Sequence, residues 1–513
     1  MGDTVTVGRK VDDAAIAALF SRPEAPREKD AYDEIKSAIP PYAHQRRGVN
    51  DAVKGVIDYG FHALFFEMGT GKTKTTIDTF MVLNARGVVR GLVVVAPKAI
   101  ISTWAQEELP KHFTVPYASY AWDGKTTRKS EAGFVKALTF DGPAVFLVNV
   151  EAFQTIPEAM KDRLKRFLAE RPSIMAVDES SFIKSPDAKR SKALVQAGQL
   201  ARGRLILTGT EITNSPLDIY MQFRFLKHDF WGVKSFFIFR ARYAQLEDQY
   251  GPGGRTFKKV VGFQRVNELM SRIAPHVSRA LKRDCLDLPE QIFQVIRVEL
   301  SSEQRRVYNS LKENLAAIME SGEVMTVPNK IALFTKFRQI PGGAIKIEGE
   351  SAMLDPNPPK LQALVAEAQG SDEQAIVWAA FTHEIEMIVR ALSEVAPTVA
   401  FHGDVPQEKR EANKKAFQEG KARFIVMNPA AAAYGLNLQN AHIQYTYSRV
   451  LSPSQVWQAE ARTHRSGQKE TCVYKSFVAV DTVDERIETL LAAKTDIREA
   501  FQTMTIADIF EIV

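Results

Sequence analysis

The stretch Phe65-Phe66-Glu67-Met68-Gly69-Thr70-Gly71-Lys72-Thr73 decides how the rest of this chain is read. Ahead of it, Ala63 to Phe66 is a short apolar run that reads as a buried strand. Gly69 and Gly71 let the backbone turn tightly and bring its N–H groups towards an anion. Lys72 can reach the β- and γ-phosphates of a nucleotide, and Thr73 can ligate Mg²⁺. Thr75 to Phe80 continues as a helix whose N-terminus faces the phosphates. The general phosphate-loop pattern asks for Gly five residues before Gly71. That position is Phe66, so the strict pattern is not met.

The whole chain sets outer bounds. Its 513 residues exceed what one core holds, so two major domains or more are expected. A formal charge of +6 permits a polyanion partner without demanding one. The two cysteines, Cys285 and Cys472, are far apart and lack metal-ligand spacing; they read as small apolar residues in a reducing compartment. No apolar run is long enough to span a bilayer, and Met1 to Lys10 lacks the apolar core of a secretory signal. The expectation is a cytoplasmic protein with no membrane contact.

Outward from the phosphate loop, further anchors appear in chain order. Pro40 to Gln45 precedes a helix pattern, and the amide of Gln45 is suited to pairing with adenine N6 and N7. Leu92 to Ala96, Val145 to Val148 and Ile174 to Val177 are continuous apolar runs, the signature of parallel strands buried on both faces. The last runs into Asp178 and Glu179, two carboxylates at the strand end where open α/β sheets bind ligands. Asp178 is placed to hold Mg²⁺ and Glu179 to polarise an attacking water. Trp104, on a helix after the first of these runs, reads as core packing. Arg204 to Thr210 is another strand and turn, with Thr208 and Thr210 able to bridge by hydroxyl hydrogen bonds. Between His228 and Leu288 the parallel-strand signal disappears and aromatics alternate with bases, around a turn at Gly251-Pro252-Gly253-Gly254. Strands alternating with helices resume from Gln294, which argues a second doubly wound sheet. There Ala431 to Leu438 precedes Gln455 to Gln468, in which Gln458, Arg462 and Arg465 are spaced i, i+4 and i+7 and so are expected on one helical face. Two guanidiniums together are built for phosphate charge.

Taken together, these stretches resemble the ordered motifs of superfamily-two helicases, and of their Swi/Snf-type branch in particular. The resemblance covers roughly residues 39–492. It is carried by Glu67-Met68-Gly69-x-Gly71-Lys72-Thr73, Ala96-Pro97-Lys98…Trp104-x-x-Glu107, Asp178-Glu179, Thr208-Gly209-Thr210…Asn214, Arg279-Ala280-Leu281-Lys282-Arg283…Leu288-Pro289 and Arg465-x-Gly467-Gln468. Two positions depart from the branch: Ser181 stands where it has His, and Glu211 where it has Pro.

The resemblance implies an α/β protein of two recombinase-type, P-loop parallel-sheet lobes with a helical insertion between them. The expected division is an accessory segment at 1–38, lobe one at 39–228, a helical protrusion at 229–288, lobe two at 289–492 and a helical tail at 493–513. ATP and Mg²⁺ are the implied cofactors. Gln45, Met68, Gly69, Thr70, Gly71, Lys72, Thr73 and Gly435 are the implied nucleotide contacts, Thr73 and Asp178 the Mg²⁺ ligands. Lys72, Glu179, Gln458, Arg462 and Arg465 are the implied catalytic set, with Thr208 and Thr210 as coupling residues. Lys98, Asn149, His402 and Asn437 are the implied nucleic-acid contacts. The implied activity is a DNA-stimulated ATPase translocating on double-stranded DNA, of bacterial or phage type. The alternatives are an unwinding helicase of replication, recombination or repair, a remodeller of a nucleoprotein complex, and an RNA helicase. A protein partner is expected to use the N- or C-terminal segment.

Overall fold

The computed structural model describes residues 4–6, 30–209, 215–250, 256–320, 327–347, 350–430 and 436–492. Residues 1–3 and 7–29 of the expected accessory segment, the glycine-rich turn at 251–254 and the C-terminal tail at 493–513 lie outside them, as do Thr210, Glu211, Asn214 and Gly435. The chain divides into two compact units, Met1–Asp287 and Leu288–Val513. No described helix is long and apolar enough to cross a membrane.

The first unit is built on a seven-stranded sheet. Its order across the sheet is Val277–Ala280, Phe61–Phe66, Gly203–Thr208, Ser173–Val177, Gly91–Ala96, Ala144–Asn149 and Ala118–Ala121. Every neighbouring pair is parallel. The apolar runs are continuous because alternate residues feed two cores. Phe65, Val93, Val95, Phe146, Val177 and Ile206 point to one. Leu64, Phe66, Val94, Leu147, Ala176 and Leu207 point to the other, with the helices Ala43–Tyr59 and Lys72–Ala85. Phe66, where the strict pattern wanted glycine, is a core residue whose ring presses on Gly48.

Two expectations about this unit are corrected. The segment 229–288 is not purely helical. It holds the helices Phe236–Tyr243 and Val266–Ile273, and between them an antiparallel hairpin of Ala244–Tyr250 and Thr256–Gln264, to which Thr4–Thr6 adds a third strand. Aromatic and β-branched residues such as Val260, Val261 and Phe263 suit that hairpin. The segment then returns as Val277–Ala280, an edge strand of the main sheet beside the phosphate-loop strand. Nor is the boundary at 38 a structural one. Tyr32 is buried, and its hydroxyl donates to Asp78 at 2.7 Å while accepting from Lys74 Nζ at 2.6 Å, both on the helix after the phosphate loop. Lys74 and Asp78 are themselves a buried ion pair at 2.5 Å.

The second unit has a six-stranded, all-parallel sheet in the order Gln291–Val298, Cys472–Ala479, Ile443–Thr446, Ala375–Trp378, Phe424–Met427 and Thr398–Phe401. Alternation again separates two cores, with Val377, Val426 and Tyr445 on one face and Ile376, Trp378 and Met427 on the other. A third cluster lies among Ser302–Glu320, Val327–Gln339 and Val483–Ala492. The two parallel-sheet units are the expected α/β architecture.

Candidate active site

The phosphate loop leaves the strand Phe61–Phe66 and enters the helix Lys72–Ala85 through two left-handed glycines, Gly69 at φ 83° and Gly71 at φ 93°. A side chain at Gly71 would collide with the amide of Gln45. That amide donates to Thr70 O at 3.0 Å, beside His44 Nε2 at 2.7 Å, and its oxygen accepts from Tyr42 N at 3.1 Å. Gln45 therefore sits at the loop, with its amide braced on Thr70 and Tyr42. Thr70 closes the turn by donating its hydroxyl to Glu67 O at 2.7 Å. Lys72 Nζ donates to Phe66 O at 2.9 Å, and Thr73 lies in the first turn of the helix.

Two other motifs meet this loop. A Cβ at Gly209 would lie 2.9 Å from Met68 Cγ and 3.0 Å from Lys72 Nζ, so the turn after Thr208 rests directly on it. Asp178, only 6% exposed, follows the strand Ser173–Val177. Burial pushes its carboxyl up to about 6, and the Glu179 charge adds to this. The Trp104 indole and the Lys72 charge pull it back down. A buried carboxylate short of positive charge, near a lysine and a helix N-terminus, fits a Mg²⁺ held by one carboxylate, the Thr73 hydroxyl and phosphate oxygens. Among the described residues no cluster of three or more His, Cys, Asp or Glu could hold a metal alone. Such an ion would supply charge neutralisation at the transferred phosphoryl group.

Trp104 was read as core packing and is 2% exposed, yet its Nε1 also donates to Asp178 Oδ2 at 2.9 Å. It opens a π-helical turn, Trp104–Glu108, and such turns recur at functional sites. Glu179 has φ 51°, one of four described non-glycine residues with positive φ, a strain on the order of 1 kcal/mol or more. Its neighbour Ser180, fully buried, donates to Gln222 Oε1 at 2.5 Å, which fixes this bend to the helix Ile219–Leu226. The strained turn presents Glu179 beside Asp178. Glu179→Gln, nearly isosteric, is expected to keep nucleotide binding while turnover falls about 10²-fold or more. Rapid-quench hydrolysis paired with a nucleotide-binding titration checks this; joint loss of both would make Glu179 structural.

Lys98 and Asn149 lie at the ends of adjacent parallel strands, where Ala96 pairs with Asn149. Lys98 is exposed, and its N–H donates to Glu151 at 3.1 Å. Asn149 Oδ1 accepts from Ala152 N at 2.8 Å, so its side chain shapes the turn.

In the second unit the expected helical face is corrected. The helix runs Pro453–Glu460 and stops, so Gln458 is on it while Arg462 and Arg465 follow in turns. The Glu460 carbonyl is taken by Gln444 Nε2 at 3.1 Å and Tyr474 Oη at 3.2 Å, from two strands of the sheet. Gln444 also donates to Thr463 Oγ1 at 2.7 Å, and Gln468 Nε2 to the carbonyls of Gln439 and Ala441, both at 3.1 Å. These bonds pin the post-helical loop. The guanidiniums still converge: Nη1 of Arg462 and of Arg465 each lie 3.5 Å from Leu436 O. Asn437 follows directly, its Oδ1 accepting from Gln439 N at 3.4 Å. His402, buried, lies apart at the end of Thr398–Phe401, with Nδ1 3.7 Å from Asp404.

Residues 44–340 match the SNF2-related domain. The chain belongs to the SNF2-related family. Residues 359–467 of this SNF2-related chain match the helicase conserved C-terminal domain. It is similar to a chromodomain-helicase-DNA-binding protein 3 homolog of Caenorhabditis elegans, 25% identical over 467 residues, 83% of this chain and 25% of that protein. An uncharacterised ATP-dependent helicase of Mycoplasma genitalium is 24% identical over 464 residues, 86% of this chain and 40% of that protein. The chain thus spans less than half the length of these curated relatives. Among solved structures, the SWI2/SNF2 ATPase core of Sulfolobus solfataricus in complex with dsDNA is 21% identical, with 93% of this chain and 98% of that chain covered and a TM-score of 0.41.

Proposed function

We propose that this SNF2-related chain is an ATP-driven motor that tracks along double-stranded DNA. The observation that carries the reading is the convergence on Lys72 of the phosphate loop, the turn at Gly209 and the buried Asp178. Phosphoryl transfer needs positioning and charge neutralisation more than covalent chemistry. Lys72 and the loop amides hold the phosphates; Asp178 and Thr73 hold the Mg²⁺; strained Glu179 orients the water. Arg462 and Arg465 neutralise charge in the transition state. Thr208 and Thr210 link hydrolysis to the nucleic-acid contacts, and Gly435 and Gln458 complete the nucleotide site.

Lys98 and Asn149, at the ends of two adjacent strands, are the first unit's track contacts, with His402 and Asn437 in the second. The duplex as track rests on family membership. The two free cysteines fit a reducing, intracellular setting. Duplex DNA is expected to stimulate ATP hydrolysis more than single-stranded RNA does, with stimulation falling steeply as salt rises, because phosphate contacts release counterions. Stronger stimulation by RNA would assign the chain to RNA instead.

A further inference from the structure

We propose that Glu67 is a positioning residue that ties the phosphate loop to the linker entering the second unit, so that nucleotide at Lys72 sets the order of that linker. The inference rests on the nucleotide reading of the loop. Its basis is the edge strand Val277–Ala280, which returns from the insertion and pairs in parallel with the phosphate-loop strand, Ala280 opposite Phe66. Just beyond that register Glu67 makes two bonds to the returning chain. Its N–H donates to Ala280 O at 2.8 Å, and its carboxylate Oε2 accepts from Lys282 N at 2.8 Å. A short helix, Lys282–Cys285, follows, and the second unit begins at Leu288.

The position of Glu67 needs a reason. A carboxylate next to a loop that binds polyphosphate adds like-charge repulsion, so the gain must lie in what it holds. The bonding around it supplies a route for coupling. Lys72 Nζ donates to Phe66 O at 2.9 Å. That carbonyl belongs to the same peptide unit as the Glu67 N–H, which is bonded to Ala280 O. A γ-phosphate competes with Phe66 O for the Lys72 ammonium. Any change in the Phe66–Glu67 peptide is then delivered to Ala280 by the N–H and to Lys282 by the carboxylate. Such coupling is reciprocal: a linker held in one arrangement alters nucleotide affinity by the same factor.

Hydrogen–deuterium exchange of the full chain tests this, read on peptides spanning Leu281 to Asp287, with and without saturating AMP-PNP and Mg²⁺. In the wild type, nucleotide is expected to change exchange there by about 5-fold or more, the lower end of typical coupling between sites. Glu67→Ala is expected to remove this response at full nucleotide occupancy. Glu67→Gln, whose amide oxygen still accepts from Lys282 N, is expected to keep it. Glu67→Asp, too short to reach Lys282, stands in for the alanine variant if that fails to fold. An unchanged response in Glu67→Ala or Glu67→Asp overturns the proposal, as does no response in a wild type that binds AMP-PNP. A wild type that binds no AMP-PNP overturns the nucleotide reading itself, a separate outcome seen in the same titration.

Discussion

Arg465→Ala is expected to lower the maximal ATPase rate by about 10³–10⁵-fold, the span reported for arginine fingers in related phosphoryl transfers. Nucleotide affinity is expected to change little, because on the proposed reading the phosphate loop and Gln45 would supply ground-state binding. An arginine finger acts on charge that develops only in the transition state. The geometry that motivates the test is the approach of Arg462 and Arg465 to one carbonyl, Leu436 O, each at 3.5 Å. Two cations gathered at one backbone position suit a phosphate oxygen better than scattered surface charges do. The competing role is a grip on DNA phosphates. Under it, Arg465→Ala loses DNA affinity, and saturating duplex restores the full rate. Titrating the variant with duplex DNA separates the two, and recovery to the wild-type maximum would exclude the finger.

Lys72→Ala is expected to reduce ATP hydrolysis by about 10³-fold or more while the protein stays folded. The side chain is only partly buried, and its Nζ donates to a backbone carbonyl, Phe66 O, at the loop. Removing it also takes away a positive charge that draws the Asp178 carboxyl down. The Mg²⁺ requirement is therefore expected to rise together with the loss of rate. Steady-state hydrolysis, with circular dichroism melting as the control for folding, checks this. Turnover near the wild-type rate in the folded variant would move the nucleotide site elsewhere.

The parts of the fold that were legible in the sequence are those buried on both faces. Leu92 to Ala96 and Ile174 to Val177 show as unbroken apolar runs because each alternate residue meets a different core. The edge strand Val277–Ala280 escaped because its pattern, Val-Ser-Arg-Ala, is half polar. Its Ser278 hydroxyl is satisfied far from its own sequence, between His62 and Asp51, each at 2.8 Å. The site motifs were legible as residue types in order, and the structure gathers Gln45, Lys72, Gly209 and Asp178. What sequence could not carry is the use of a second bonding surface. Trp104 fills core like any aromatic, and only its position shows the indole N–H on Asp178. The helix before Arg462 ends at Glu460 because Gln444 and Tyr474, from other strands, take its carbonyl, a stop no local glycine or proline announces.

The central claim is that ATP hydrolysis moves this chain along duplex DNA, and displacement of a triplex-forming third strand tests it most directly. With ATP and Mg²⁺ the wild type is expected to release the third strand from an otherwise intact duplex, and Lys72→Ala is expected to release none. Vigorous DNA-stimulated hydrolysis without any third-strand release would contradict the account.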